Sequence, residues 1–281
     1  MIKNSVQNTD LIKKDYKELF SKQILDNLTI KSKKNQFCVS NNHLKGLRVQ
    51  VFTKKLKKIS KCINFSEKSF FWTIGIIDKL ISLYDIESGI FEAICMICLS
   101  LILKINEPPE KFLDCNQYCL LLNMTTPEYY LTLEVRVLTL MKFDLNIVTS
   151  YDFLEQFLDR SCTFLPIDSS KSKQTIKDFK KLTRELNFIS TLTYDTYQFS
   201  HKTVACAIIT IVREIMNLSE IWSDKLADIS NFQFADFEQC RKFLILIFED
   251  YIEVNDSEFE TQDSYSNDYK KNTVISTTDF Q

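Results

Sequence analysis

Apolar residues recur along most of this chain at three- and four-residue intervals, the spacing that gathers them on one face of a helix. The pattern predicts helices near 45–61, 66–83, 89–105, 109–122 and 127–141, then a second set near 150–160, 173–192, 200–217 and 235–253. A short amphipathic helix over about 11–28 and a Lys- and Asn-rich link to residue 44 precede them. Ser66 before Glu67, and Thr126 before Pro127 and Glu128, read as N-caps, the second with Pro at the first helical position, where its missing N–H costs nothing. Thr126-Pro127 also has the form of a proline-directed phosphosite.

Two stretches break the one-sided pattern. Residues 93–103 and 204–212 are apolar almost all round, so each belongs inside a bundle with amphipathic helices wrapped about it. They lie a domain's length apart, which suggests two similar helical units in tandem. The organisation expected is an N-terminal helix and linker over 1–44, a first helical box over 45–148, a second over 149–254, and an acidic, disordered tail over 255–281 without apolar periodicity. The 93–103 stretch is bounded by Glu92 and Lys104, short of the roughly 18 apolar residues of a membrane span. No membrane partner is expected.

Composition supports the all-α reading. Only 3 Gly and 4 Pro occur in 281 residues, too few for the turns of a sandwich, barrel or doubly wound sheet. The same scarcity removes the glycine-rich phosphate loops and the nucleophile elbow. With 2 His and no H-E-x-x-H, zinc hydrolysis has little support, and no D-D-x-x-D arrangement invites magnesium. Glu249 and Glu253 share a helix face but read as a solvated acidic helix end. No catalytic residue, metal or cofactor is expected, and a helical enzyme lacks an acid/base constellation.

Charge is unevenly spread: residues 1–61 carry 15 Lys and Arg against 4 acids, and residues 219–281 carry 5 against 14. A pI near 5.9 argues against nucleic acid as a partner. Lys54, Lys55, Lys57, Lys58 and Lys61 read as a solvated helix face, or else as an import or anion patch. Nine cysteines behind a polar N-terminus suggest free thiols in a reducing compartment, and Cys95 and Cys98, with no turn between them, read as core residues rather than zinc ligands.

Several motifs in order resemble the cyclin box. They are Ile77-Asp78-Lys79-Leu80, the run Phe91-Glu-Ala-Ile-Cys-Met-Ile-Cys-Leu-Ser-Leu-Ile-Leu-Lys-Ile-Asn-Glu107, and Leu133-Glu-Val-Arg-Val-Leu-Thr-Leu-Met-Lys-Phe-Asp-Leu145. Thr149-Ser-Tyr-Asp-Phe-Leu-Glu-Gln-Phe157 is similar to the entry of the family's second repeat, and Tyr197-Gln-Phe-Ser-His-Lys-Thr-Val-Ala205 matches that repeat more loosely. The resemblance implies a non-enzymatic regulatory subunit of the nucleus or cytoplasm that docks on a cyclin-dependent kinase, turns its αC helix inward and so controls cell-cycle progression.

The resemblance also implies positions. Lys104 and Glu134 match the family's kinase-binding pair, with Leu138, Phe143 and Leu145 as apolar contacts and Ile105 where the family usually carries an aromatic. From spacing alone Lys104 also reads as a partner of the helix dipole, and Leu138, Phe143 and Leu145 as core. For substrate or inhibitor peptides the matching face is Leu47, Val51 and Lys54, with Glu92 nearby. Lys54 replaces a tryptophan wall, and Glu92 offers a carboxylate for a peptide arginine. The first 44 residues contain no Arg, so the family's destruction signal is absent from its usual place. A two-repeat transcription factor that binds polymerase and DNA is the alternative within the same fold.

Overall fold

The computed structural model describes residues 22–33, 42–122, 126–163, 172–218 and 220–263, and among these it is helical with no strand. Helix α1 covers 22–33. The segments Lys45–Gln50, Val51–Leu56 (a π-helical stretch) and Lys57–Ile63 run on as one helix, α2. The first box continues with α3 (Glu67–Leu83), α4 (Ser88–Asn106), α5 (Cys115–Leu122) and α6 (Pro127–Leu140). The second contains α7 (Ser150–Thr163), α8 (Ser172–Ser190), α9 (His201–Ile215), α10 (Asp224–Ser230) and α11 (Glu238–Asp263). The short α10 escapes the apolar-spacing pattern because seven residues make only two turns. Helix α11 runs on to Asp263, past the end expected near 253, while the expected tail beyond it and the helix start near 11 lie outside the described residues.

Local chemistry sets the helix starts. Ser66 Oγ accepts the Ser69 N–H at 3.2 Å, Thr126 Oγ1 that of Tyr129 at 3.4 Å, and Ser200 Oγ that of Thr203 at 3.1 Å. Each satisfies one of the amide donors that a helix start leaves over. Chain reversals use asparagine where glycine is the commoner choice, for no glycine has positive φ whereas Asn64, Asn217 and Asn231 do. The short amide side chain tolerates the left-handed region, so the scarcity of Gly leaves the helices properly ended.

Helix α4 is the axis of the first box, packed by α3, α5 and α6, and α9 is the axis of the second, packed by α7, α8 and α11. Ile94 to Leu103 are buried without interruption, as are Val204 to Arg213. Helix α4 is in fact long and apolar enough to cross a membrane, contrary to the length argument above. Its neighbours bury it, so its hydrophobicity serves a protein core here. Cys95 and Cys98 lie in that core, and burial raises both thiol pKa values. Helix α1 adds Leu25 to the second core.

A buried polar clasp ties the boxes together. Arg48 of α2, 1% exposed, donates from Nε and Nη2 to the two carboxylate oxygens of Asp78 in α3, both at 2.6 Å. The same guanidinium reaches the carbonyls of Thr191 (2.6 Å) and Leu192 (3.2 Å) just past α8, and the Tyr197 hydroxyl donates to Asp78. The Phe52 and Tyr194 ring centres lie 4.5 and 4.6 Å from the guanidinium carbon. Trp72 Nε1 donates to Asp152 at 3.0 Å, and that carboxylate also takes the Thr149 N–H at 2.7 Å, fixing the entry to the second box against α3. Gly75 makes this approach possible: a Cβ there would sit 3.1 Å from Thr149 Cγ2.

Candidate functional site

Helix α4 emerges from the core in its last turn, where Lys104 leaves the apolar surroundings. Its Nζ donates to Glu134 Oε1 of α6. The lysine side chain remains 44% exposed while Glu134 is 11% exposed, so the carboxylate forms a floor and the ammonium a half-open lid. A carboxylate so far withdrawn from water needs this partner, because an unpaired charge there would be costly.

Apolar side chains flank the pair. Leu131 and Val135, one turn apart on α6, are exposed to 47% and 59%, and Ile105 beside Lys104 to 55%. Leu138, on the turn after Glu134, is half-buried. Phe143 is 70% exposed, and the backbone is bent to present it, for Lys142 and Phe143 have φ of 53° and 57°. A bulky residue in the left-handed region is strained, and here the Phe143 N–H hydrogen bond to the Leu138 carbonyl at 2.8 Å holds it. The Tyr84 hydroxyl donates to the Leu140 carbonyl at 2.9 Å, satisfying an acceptor at the same helix end.

A cavity of about 300 Å³ opens beside the pair, lined by Lys104, Leu131, Phe112, Tyr118 and Tyr130 among others. The Tyr118 and Tyr130 rings stack at 5.4 Å. Burial, reinforced by the Glu134 charge, pushes the Tyr118 phenol up to about 12, so it stays neutral at physiological pH.

The structure therefore brings Lys104, Glu134, Leu138, Ile105 and Phe143 to one end of the first box. Leu145 is not among the surface residues. It is 8% exposed and packs into the first core, because the turn that projects Phe143 outward sends the residue two places on inward. On the face matched to peptide docking, Lys54 is exposed and Leu47 half-buried, whereas Val51 is 1% exposed and belongs to the core. Glu92 is paired with Lys55 Nζ at the surface, so a peptide arginine would have to share or displace that lysine. Leu131 and Val135 were missed as surface residues, because α6 has apolar positions on more than one face and spacing does not say which face is covered. The Arg48–Asp78 clasp was missed too. Its signal was there, a charge in each of two otherwise inward-facing stretches, and buried charges come paired.

An all-α molecule of two five-helix boxes, each wound about a buried axial helix, has the architecture of the cyclin fold. The fold resembles the X-ray structure of a viral cyclin from herpesvirus saimiri, with a TM-score of 0.59 at 14% identity, over 81% of this chain and 99% of that one. Residues 148–277 match the family model of the cyclin C-terminal domain, a span that includes the second box and most of the acidic end. No curated protein matches the sequence. The chain has the cyclin fold, and its second half matches the cyclin C-terminal domain.

Proposed function

We propose that the chain is a regulatory subunit that docks on a cyclin-dependent protein kinase through the Lys104–Glu134 end of the first box and activates it in cell-cycle control. The observation that carries this reading is a half-open ion pair flanked by exposed apolar side chains, Ile105 next to Lys104 on α4 and Leu131 and Val135 next to Glu134 on α6. An exposed apolar patch about a charged pair is what a protein partner covers, and its exposure is otherwise a liability. The subunit contributes no catalytic group. It acts by holding the kinase's αC helix inward, in the nucleus or cytoplasm wherever that kinase works. Lys54 in place of the tryptophan wall makes binding of Arg-x-Leu peptides weak, so substrate selection rests largely elsewhere.

The test is co-purification of the full chain with its kinase, followed by calorimetric titration of Lys104→Ala and Glu134→Ala proteins whose helical circular dichroism is intact. Loss of one partner of such a contact is expected to weaken binding by about 2–5 kcal/mol. Unchanged affinity in both variants, or recovery of polymerase subunits in place of a kinase, would sink the reading.

A further inference from the structure

A second cavity, of about 370 Å³, lies between the boxes and shares no lining residue with the one beside Lys104. It is bounded by the last turns of α2, the start of α3, the last turns of α8 and Tyr251 of α11. Its floor is aromatic: Phe65, Phe70 and Phe188 are each less than a tenth exposed, with Phe70 and Phe188 rings 5.7 Å apart. That floor is large enough for a bulky apolar side chain, in the size range of specific small pockets.

The charges at the rim decide what kind of segment could bring such a side chain. Both acids are already engaged within the protein: Glu67 Oε2 lies 2.7 Å from Arg184 Nε, and Glu185 lies 3.9 Å from Lys181 Nζ. The cations are in surplus. From Lys45 to Lys61 helix α2 carries seven basic residues and no acid, and of these Arg48 and Lys55 pair with Asp78 and Glu92. Lys57 lines the cavity with its ammonium 4.5 Å from the centre of the Phe188 ring, and it forms no salt bridge among the described residues. Lys61, one turn on, is exposed and close enough to lower the Lys57 pKa further after burial has done so, against a smaller opposing pull from Glu185. On the opposite wall Arg184 and Lys181 are taken up by Glu67 and Glu185, so the surplus positive charge lies on the α2 side. One basic wall over an aromatic floor favours an anion that also carries an apolar anchor, and an acidic peptide with a bulky side chain offers both.

We propose that this inter-box cleft docks an acidic peptide segment of a partner protein, seated by one aromatic or large aliphatic side chain among the phenylalanines with its carboxylates on Lys57 and Lys61. This is a recruitment surface separate from the Lys104 end and independent of kinase binding. It supplies substrate or regulator selection that the altered Arg-x-Leu face provides only weakly.

The experiment uses the full chain and a fluorescein-labelled synthetic peptide with one phenylalanine flanked on both sides by aspartates and glutamates, titrated by fluorescence anisotropy without any kinase. Two control peptides replace the phenylalanine by alanine, or the acids by their amides, and an unlabelled single-stranded oligonucleotide serves as competitor. Saturable binding is expected, weakened by about tenfold or more in either control and in a Lys57→Glu/Lys61→Glu protein. Lys61→Glu alone, at an exposed position, repeats the test with the cavity wall intact. Absence of saturable binding would overturn the proposal. So would binding indifferent to the phenylalanine, which means charge adhesion, or equal competition by the oligonucleotide, which means a nucleic-acid surface.

Discussion

Lys104 and Arg213 occupy the same place in their boxes, each two residues before the end of the axial helix. Lys104 is half in water, paired at the surface with Glu134 and flanked by exposed apolar side chains. Arg213 is 1% exposed and donates from Nε to the Glu220 carbonyl at 2.7 Å, inside its own box. One box leaves its axial end open to a partner, and the other spends the equivalent charge on its own loop. Helix ends show the same contrast. After α9 the left-handed residue is Asn217, a residue suited to it, while after α6 it is Lys142 followed by Phe143, which are not. Strain has been kept in the first box where presentation of a side chain requires it.

The strongest way to break the comparison is to separate the boxes. Arg48→Ala leaves Asp78 buried without its cation and strips the Thr191 and Leu192 carbonyls of a donor, and a loss of about 3–5 kcal/mol is expected. Thermal unfolding followed by circular dichroism should then show the midpoint fall steeply and the single transition split in two. A cooperative transition at the wild-type midpoint would show that the clasp does not couple the boxes.

Acid sharpens the comparison, since the boxes carry groups shifted in different windows. In the second box burial pushes His201 down to about 4 from 6.5. Below pH 6.5 the unfolded chain takes up a proton that the folded one refuses, so stability drains away as pH falls from 6.5 towards 4. In the first box burial would raise the Glu107 carboxyl, but hydrogen bonds from Ser66, Ser69 and Lys111 outweigh it and hold the group at about 2. Its contribution is complete above pH 4.5 and is lost as pH falls from there towards 2. Urea titrations at pH 7, 5 and 3 should show two successive losses on the order of 1–3 kcal/mol each. His201→Gln should remove the upper loss and the part of the lower that falls above pH 4, and Glu107→Gln the rest of the lower. If either substitution leaves its slope in place, that assignment fails.

The smallest effect runs in two directions at once. Phe143→Gly relieves a left-handed backbone and is expected to stabilise the chain by about 1 kcal/mol while weakening kinase binding. Chemical denaturation and a binding titration on the same variant check both signs. Lower stability together with unchanged binding would make Phe143 a structural residue.

Sequence spacing was enough to find the two boxes, because 93–103 and 204–212 are apolar on every side and nothing but a bundle interior accommodates them. The N-caps at Ser66 and Thr126 were legible for a local reason, the side chain and its amide partner being three residues apart. What spacing could not supply was anything decided between elements. Leu145 and Phe143 are two residues apart and both apolar, and only the turn at Lys142 says that one goes in and the other out. Glu92 looked unpartnered until Lys55, 37 positions earlier, proved to pair with it. Arg48 and Asp78 meet through the packing of α2 on α3, which no periodicity encodes.

The clasp also imposes an order on the molecule's birth. A chain emerging from the ribosome completes the first box well before residues 191 and 192 exist, so Arg48 can already hold Asp78 but lacks the two carbonyls that satisfy its remaining donors. The Tyr197 hydroxyl that also serves Asp78 arrives still later. Until then the half-made protein carries a guanidinium and a carboxylate with incomplete hydrogen bonding, a weakness that the second box removes when it docks. Stopping translation between the boxes should therefore leave a nascent chain more open to proteolysis than the finished one, and the last part of the clasp to be made is the part that seals the first.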